Sequence, residues 1–173
     1  MPVRLRFQDE ARFGRISNPK RGWAPPHVRP QVSSQMIREY TYAYGAVSPL
    51  DGAADFLILP AMTASAMNIF LEELSRRHCH EYLLVIYDGA PCHKISALTI
   101  PKNRMIEQLP PYSPELNPVE HIWDEAREKF FKNLIFKNMD AVEDKLAEAI
   151  LYFESHPKVV KFLTGFEWII NHS

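Results

Sequence analysis

Three acidic residues of this chain stand where core elements are predicted to begin or end. Asp9 ends the apolar face of a first strand, Asp88 directly follows the apolar run LLVIY at residues 83–87, and Glu120 lies at the start of a helix. A carboxylate on a buried face is costly unless it is paired or bound to a metal. Hard divalent cations such as Mg²⁺ prefer carboxylate oxygens as ligands. A bound metal is therefore one explanation for a buried acid such as Asp9.

Each acid also has a simpler structural interpretation. A satisfied polar group or a loop cap accounts for Asp9 or Asp88 when either is taken alone. Asn117 and Glu120 have the spacing of an N-cap and an N3 residue, so Glu120 could close a capping box. Two observations favour a site. Ligands gather outside the carboxyl ends of parallel strands, and the segment LPPYSPELNPVEHIW at 109–123 has a more specific sequence than the start of a helix requires.

The elements that would position these acids follow from the hydrophobic periodicity. Alternation predicts strands, apolar residues three and four apart predict helices, and a continuous apolar run predicts a strand covered on both faces. The predicted strands cover residues 3–9, 40–47, 54–59, 83–87 and 105–109. The predicted helices cover residues 64–77, a segment from 119, about 140–153, and 157–170. The apolar stripe of the segment from 119 consists of Val119, Ile122, Trp123, Ala126 and Phe130. The result is one domain, residues 1–173, with a mixed sheet and flanking helices.

Local signals refine three of these boundaries. Thr63 is a candidate N-cap for the helix at 64–77, and Asp140 and Glu143 have capping-box spacing at the start of a later helix. SPLDG at residues 48–52 predicts the turn of a hairpin. Residues 14–38 are predicted to be a loop, with one short strand around Trp23.

The composition excludes some classes of protein and leaves the function open. No apolar run approaches the roughly 18 residues of a membrane-spanning helix, and the N-terminus has no apolar signal core, so the expectation is a cytoplasmic protein without a membrane partner. The two cysteines, Cys79 and Cys92, form no disulfide framework and match no zinc-ligand spacing. Residues 1–38 hold eight Lys and Arg against two acids, and a basic segment can contact nucleic-acid phosphates or be an ordinary solvated surface.

Three segments together resemble a known family. QDEARFG (8–14), VIYDGAPCH (85–93) and LPPYSPELNPVEHIW (109–123) are similar to the DDE endonuclease domain of mariner-type transposases, specifically the branch found in bacterial insertion sequences. All three motifs occur in the family's order, and the resemblance covers essentially the whole chain. The sequence departs from the family at Gly89, where the family has Asn.

The resemblance implies a ribonuclease-H-like α/β fold, with three antiparallel strands followed by parallel strands. It implies that Asp9, Asp88 and Glu120 hold two Mg²⁺ or Mn²⁺ ions, with Asp9 bridging them. Two such ions activate the nucleophile and stabilise the leaving oxygen during phosphodiester cleavage. The expected activity is therefore DNA transposition: hydrolysis at transposon ends, then transfer of the freed 3′ end into target DNA.

Further roles are expected for residues around this triad. Glu10, His93 and Asn117 are expected to support the site or contact the substrate, and the candidate DNA phosphate contacts are Arg12, Arg15, Lys20, Arg21 and Arg29. Helix-turn-helix modules of the family have no counterpart in this sequence, so a separate DNA-binding chain or a homodimer is an expected partner. Two alternatives remain: a decayed or domesticated domain that binds DNA or a partner without cutting, and an RNA-cleaving nuclease of the same fold.

Overall fold

The computed structural model describes residues 1–17, 19–20, 23–29, 31–88, 97–110 and 113–171. Its strands are β1 (Val3–Ile16), β2 (Met36–Val47), β3 (Ala54–Leu59), β4 (Tyr82–Tyr87) and β5 (Arg104–Gln108). Its helices are α1 (Ala64–Arg77), α2 (Val119–Ala126), α3 (Met139–Ser155), α4 (Pro157–Thr164) and α5 (Glu167–Ile170). A 3₁₀ turn, Pro114–Leu116, precedes α2, and a π-helical turn, Arg127–Phe131, continues it.

The strands form one mixed sheet in the order β3-β2-β1-β4-β5. β1, β2 and β3 are mutually antiparallel neighbours, whereas β4 pairs parallel with β1 and β5 pairs parallel with β4. The antiparallel opening followed by parallel strands confirms the fold class predicted from the sequence. The predicted hairpin and the helix at 64–77 are confirmed as well, and Thr63 caps α1 by accepting a hydrogen bond from the backbone N of Ala66 at 3.2 Å.

Helices cover both faces of the sheet, and each face has its own apolar core. On one face α2, α3 and α4 pack over Phe7, Phe13 and Phe56. On the other face α1 packs over Tyr44 and Val85. Alternate residues of β1 point to opposite faces, so Phe7, Asp9 and Phe13 point towards α2. None of the helices in the described ranges combines the length and the apolar character needed to cross a bilayer.

The first strand differs from its prediction. It was expected to end at Asp9, but it extends to Ile16 with a bulge between Gly14 and Ile16. Asp9 therefore lies within the strand. The alternation of apolar residues continues through Ala11 and Phe13, which are both buried, so the buried acid interrupts the apolar face of β1 without ending the strand.

Three local predictions are wrong. No strand forms around Trp23, which is fully exposed in the described segment 23–29. The N-cap of α3 is Asn138, whose side chain accepts a hydrogen bond from the N of Ala141 at 3.0 Å, so the capping box of Asp140 and Glu143 does not form. The single helix predicted at 157–170 is divided into α4 and α5.

Candidate functional site

Two acidic residues lie at the fork where β4 separates from β1. The parallel pairing of these strands ends at Gln8 and Tyr87, and Asp9 and Asp88 are the next residues of their chains. Beyond the fork β1 continues to Ile16, and in the described part of the chain it is paired there with β2 alone. Because ligands of α/β sheets bind outside the carboxyl ends of parallel strands, this fork is the expected position of a site.

A third carboxylate joins these two. Oxygens of Asp9, Glu10 and Asp88 lie within 4.8 Å of one another, with Asp9 buried and the other two half-buried. Gln8 is completely buried, and its Nε2 donates a hydrogen bond to Oε1 of Glu10 at 2.9 Å. Three carboxylates at this separation offer a set of hard oxygen ligands that suits a divalent cation such as Mg²⁺.

Helix α2 is attached to β1 beside this cluster. Buried Asn117 donates from Nδ2 to the backbone O of Gln8 at 3.0 Å, and its Oδ1 accepts from the N of Val119 at 3.2 Å. Trp123 donates from Nε1 to Oδ2 of Asp9 at 3.0 Å. Pro118, in helical conformation, is the N-cap residue, without a side-chain capping bond. The chain entering α2 thus contacts β1 on both sides of the fork.

A glycine makes room for the indole ring that holds Asp9. Gly45 lies directly opposite Asp9 in the antiparallel pairing of β1 and β2. A Cβ at Gly45 would lie 2.8 Å from Cη2 of Trp123 and 2.8 Å from Cε1 of Phe56, a distance at which atoms must move. The absence of a side chain at this position therefore allows Trp123 to reach the buried carboxylate.

The environment of Asp9 disfavours its charged form. Burial is the main reason that the pKa of Asp9 is raised well above its usual range, and the neighbouring carboxylates of Glu120, Asp88 and Glu10 raise it further. The backbone N–H of Glu10 opposes this shift. A buried acid among three like charges is stabilised by a cation, because the cation offsets both the repulsion and the lost hydration.

Glu120 lies near the cluster without belonging to its closest set. Glu120 is exposed as a residue, yet partial desolvation of its carboxyl group raises its pKa, Arg127 opposes the shift, and Asp124 and Asp88 reinforce it. Its effect on the pKa of Asp9 is the largest of the three acids. The structure therefore brings Asp9, Asp88 and Glu120 into one region, with Glu10 closer to the two aspartates than the sequence indicated.

The other predicted site residues have different surroundings. Arg15 has its donors occupied: Nε and Nη2 bind the backbone O atoms of residues 136 and 137 at 2.9 and 2.8 Å, and Nη1 binds Glu39 at 2.7 Å. Lys20 forms an ion pair with Glu128 at 2.8 Å. Arg12 and Arg29 are exposed. The predictions for His93 and Arg21, and the departure at Gly89, lie outside the described residues.

Sequence reasoning missed the role of Trp123, which it assigned to the apolar stripe of the helix. The side chain does pack in the core, but its indole N–H is a polar group that needs an acceptor when buried. That need is a signal that the sequence contains. The sequence does not indicate which group accepts this hydrogen bond, because Asp9 and Trp123 are far apart along the chain.

Comparison with known proteins gives a family and a fold. The family model described as "DDE superfamily endonuclease" matches residues 4–143. A curated relative, "Uncharacterized protein y4pE/y4sA" of Sinorhizobium fredii (strain NBRC 101917 / NGR234), is 38% identical over 104 residues, which are 60% of this chain and 77% of the relative.

Two solved structures share the architecture. The Mos1 mariner paired end complex with Mn matches 92% of this chain and 53% of its own, with a TM-score of 0.66 and 16% identity. A pre-cleavage Mos1 transpososome matches 97% of this chain and 55% of its own, with a TM-score of 0.63 and 14% identity. The chain thus spans about half the length of these proteins. The matches confirm the ribonuclease-H-like arrangement of the mixed sheet.

Removing the indole N–H should disturb Asp9 more than it disturbs the core. Trp123→Phe keeps an aromatic ring but leaves the buried oxygen of Asp9 without this donor, so the free energy of unfolding should fall by about 1–3 kcal/mol. Mn²⁺ affinity, measured by calorimetry, should fall about 10- to 100-fold, as when a group that orients a metal ligand is lost. Trp168→Phe on α5 is the matched control and should leave Mn²⁺ affinity unchanged. Equal Mn²⁺ affinities for the two variants would contradict a positioning role.

The raised pKa of Asp9 predicts a pH-dependent stability. An acid whose pKa is higher in the folded than in the unfolded chain keeps its proton to a higher pH when the chain is folded. The free energy of unfolding therefore falls as the pH rises from the ordinary pKa of about 3.9 through the folded pKa. Without divalent cations, Asp9→Asn should therefore melt at a higher temperature than the parent at pH 8, and the two should converge near pH 4. Mg²⁺ should raise the melting temperature of the parent but not that of Asp9→Asn. Asp144→Asn, an exposed change on α3, is the control; a parent and an Asp9→Asn variant with the same pH profile would refute the assignment.

Proposed function

This chain belongs to the DDE superfamily of endonucleases, and we propose that it is the catalytic domain of a DNA transposase. The reaction is hydrolysis of a phosphodiester bond at a transposon end, followed by joining of the freed 3′ end to target DNA. One observation carries the proposal: the carboxylates of Asp9, Glu10 and Asp88 converge at the fork between β1 and β4. The fold that the chain shares with the Mos1 mariner paired end complex with Mn and with the pre-cleavage Mos1 transpososome supports it.

The donor set fits Mg²⁺ or Mn²⁺. All three candidate ligands, Asp9, Asp88 and Glu120, supply carboxylate oxygens, and the cost of burying Asp9 among other acids is the observation that favours a bound cation. Two such ions, when bound, would activate the attacking oxygen and stabilise the leaving one. Glu10 is near enough to contribute a further ligand, and the variants below distinguish its role from that of Glu120.

The chain's own groups orient this set. Trp123 and the apolar core hold Asp9 from the α2 side, Asn117 fixes the start of α2, and Gln8 holds Glu10. Glu120 is exposed and Asp88 is half-buried, so the scissile phosphate approaches from their side. In the first step a water oxygen bonds to phosphorus and the 3′ oxygen leaves. In the second step that 3′ hydroxyl is the nucleophile and an oxygen of the target strand leaves.

DNA is the proposed partner, and its phosphates are proposed to contact Arg12, Lys20 and Arg29. Arg15 contributes by holding residues 136 and 137 in place, since its donors are bound within the chain. Arg21 remains a prediction. Recognition of the transposon ends by a helix-turn-helix region, a separate DNA-binding chain or a homodimer also remains a prediction, because the chain spans about half of the Mos1 chains it matches.

Neutral isosteres of the three acids should abolish cleavage while the fold survives. Asp9→Asn, Asp88→Asn and Glu120→Gln should each reduce Mg²⁺- or Mn²⁺-dependent nicking of transposon-end DNA at least about 100-fold, because ligands of one site act as a unit. Glu10→Gln should reduce it about 10-fold, the size of effect typical of a supporting group. Asp144→Asn is the control, and RNA of the same sequence tests the alternative substrate. Near-normal nicking by Glu120→Gln together with inactive Glu10→Gln would replace Glu120 by Glu10 in the site.

The proposed phosphate contacts should be recognised by their salt dependence. Each phosphate contact adds roughly 0.9 to the slope of log affinity against log salt for duplex DNA, and such contacts carry no sequence information. Lys20→Ala combined with Arg29→Ala should weaken binding to terminal-repeat and scrambled duplexes alike and flatten the slope by up to about 2. The measurement is a salt titration of fluorescence anisotropy with both duplexes. A strong preference of the parent chain for the terminal repeat would show instead that this domain reads the ends itself.

A further inference from the structure

A cavity of about 430 Å³ lies at the far end of β1, beyond the carboxylate fork. This volume falls within the roughly 300–1,000 Å³ of pockets that enclose small ligands. Its charged lining residues in the described part of the chain are all basic: Arg12, Arg15, Lys20, Arg127 and Lys132. Aromatic rings from β1, β2 and the residues after α2 also line it. The cavity therefore offers both positive charge and flat apolar surface.

The backbone of β1 is irregular where it enters this cavity. The pairing with β2 shifts register between Gly14 and Ile16, and bulges of this kind redirect side chains and often lie next to active sites. A Cβ at Gly14 would lie 2.5 Å from Cδ1 of Tyr40, so the glycine lets the Tyr40 ring approach the strand. The guanidinium of Arg12 lies over that ring, 4.3 Å from its centroid.

One wall of the cavity is tied to β1 and to the segment before β2. Arg15 binds the backbone O of Phe136, and Gln35 binds the O and N of the same residue at 2.8 and 3.1 Å. Lys20 and Lys132 both form ion pairs with Glu128. The contacts of Arg15 and Gln35 shape this wall, and the exposed ion pairs with Glu128 keep Lys20 and Lys132 beside it.

Arg12 and Arg127 are the cations best placed for a ligand. Arg127 lies 5.3 Å from the centroid of the Phe13 ring, and its closest approach to Asp124 is 3.7 Å, longer than a hydrogen bond. Arg127 begins the π-helical turn, which ends at half-buried Phe131. π-Helical turns are frequent at functional sites, and this one presents a cation and an accessible ring to the same cavity.

Two elements that line the cavity, β1 and the helical segment of α2 and its π-helical turn, also carry two of the carboxylates. Arg12 is three residues beyond Asp9 on β1, about 10 Å at 3.3 Å per residue. Arg127 is seven residues beyond Glu120, two helical turns or about 10 Å along the axis, and its charge lowers the pKa of Glu120. At the roughly 3.4 Å rise of each nucleotide in B-form DNA, the cavity lies a few nucleotides from a phosphate held at the acids.

We infer that this cavity holds one unpaired nucleotide of the DNA strand being processed. Its phosphate binds Arg127 and its base stacks on Phe131, while Arg12 lines the same cavity from the other face of β1. Base stacking on aromatic rings next to cationic side chains is the general mode of single-strand binding and tolerates any base. The inference rests on the proposed action on DNA. The proposed binding site lies outside the carboxylate cluster. Its occupant is one nucleotide of a longer DNA strand and not a free nucleotide.

The test measures binding in EDTA, so that it does not depend on cleavage. The probe is a fluorescein-labelled 12-nucleotide thymidine strand, with a second probe that carries abasic positions at its centre. Phe131→Leu should weaken binding of the intact strand about 10-fold and change binding of the abasic strand little, whereas Phe131→Tyr should retain the parent affinity. Arg127→Gln should weaken both strands and lower the salt slope by about 0.7. Arg38→Gln, an exposed change on β2 outside the cavity lining, is the matched control.

Several outcomes would overturn the inference. Phe131→Leu and Arg38→Gln with the same affinity as the parent would remove the cavity from DNA binding, even if the parent nicks DNA as proposed. Competition by inorganic phosphate as effective as that by thymidine 5′-monophosphate would leave an anion site without base stacking. Mononucleotide binding as tight as that of the 12-nucleotide strand would make the occupant a free nucleotide. Conversely, ring-dependent strand binding by a chain that shows no metal-dependent nicking would support the cavity and refute the proposed function.

Discussion

The hydrogen bond from Trp123 to Asp9 is the interaction on which the site depends. Asp9 is buried beside three other acids, and burial together with their charges raises its pKa, so a fixed hydrogen-bond donor to its carboxyl group matters here. The indole supplies the donor at 3.0 Å. It reaches Asp9 because Gly45, opposite Asp9 on β2, leaves space for the ring. The packing of α2 against the sheet therefore also orients the carboxyl group of Asp9.

The length of β1 separates the acids from the basic cavity. The strand continues beyond its pairing with β4, from Asp9 to Ile16, while β2 still pairs with its other edge. The acids lie at the beginning of this extension, and the basic cavity lies at its end. A paired strand is a rigid support, so the distance between the carboxylates and the cavity is set by the backbone. Functional groups on such elements are held more precisely than groups on loops.

The basic residues near the site differ in the contacts that they make. Arg15 joins β1 to the segment after α2, and Lys20 and Lys132 share Glu128. The ion pairs of Lys20 and Lys132 with Glu128 are exposed and contribute little to stability, but they lie between the segments around the cavity. Arg12 and Arg127 lie over aromatic rings, an arrangement that orients a guanidinium and leaves donors for a phosphate. A count of charges along the sequence treats all of these residues alike.

The sequence by itself determined the features that depend on neighbouring residues. Helix α1 with its Thr63 cap and the buried strand β4 matched their predictions closely, because periodicity and capping are local; the three motifs also placed Asp9, Asp88 and Glu120 in one region. Tertiary structure decided the rest. The extension of β1 depends on pairing with β2, the closeness of Glu10 to the aspartates depends on where β4 ends, and the donor to Asp9 comes from a helix more than a hundred residues away. These contacts join distant segments, and no local pattern specifies which pairs will meet.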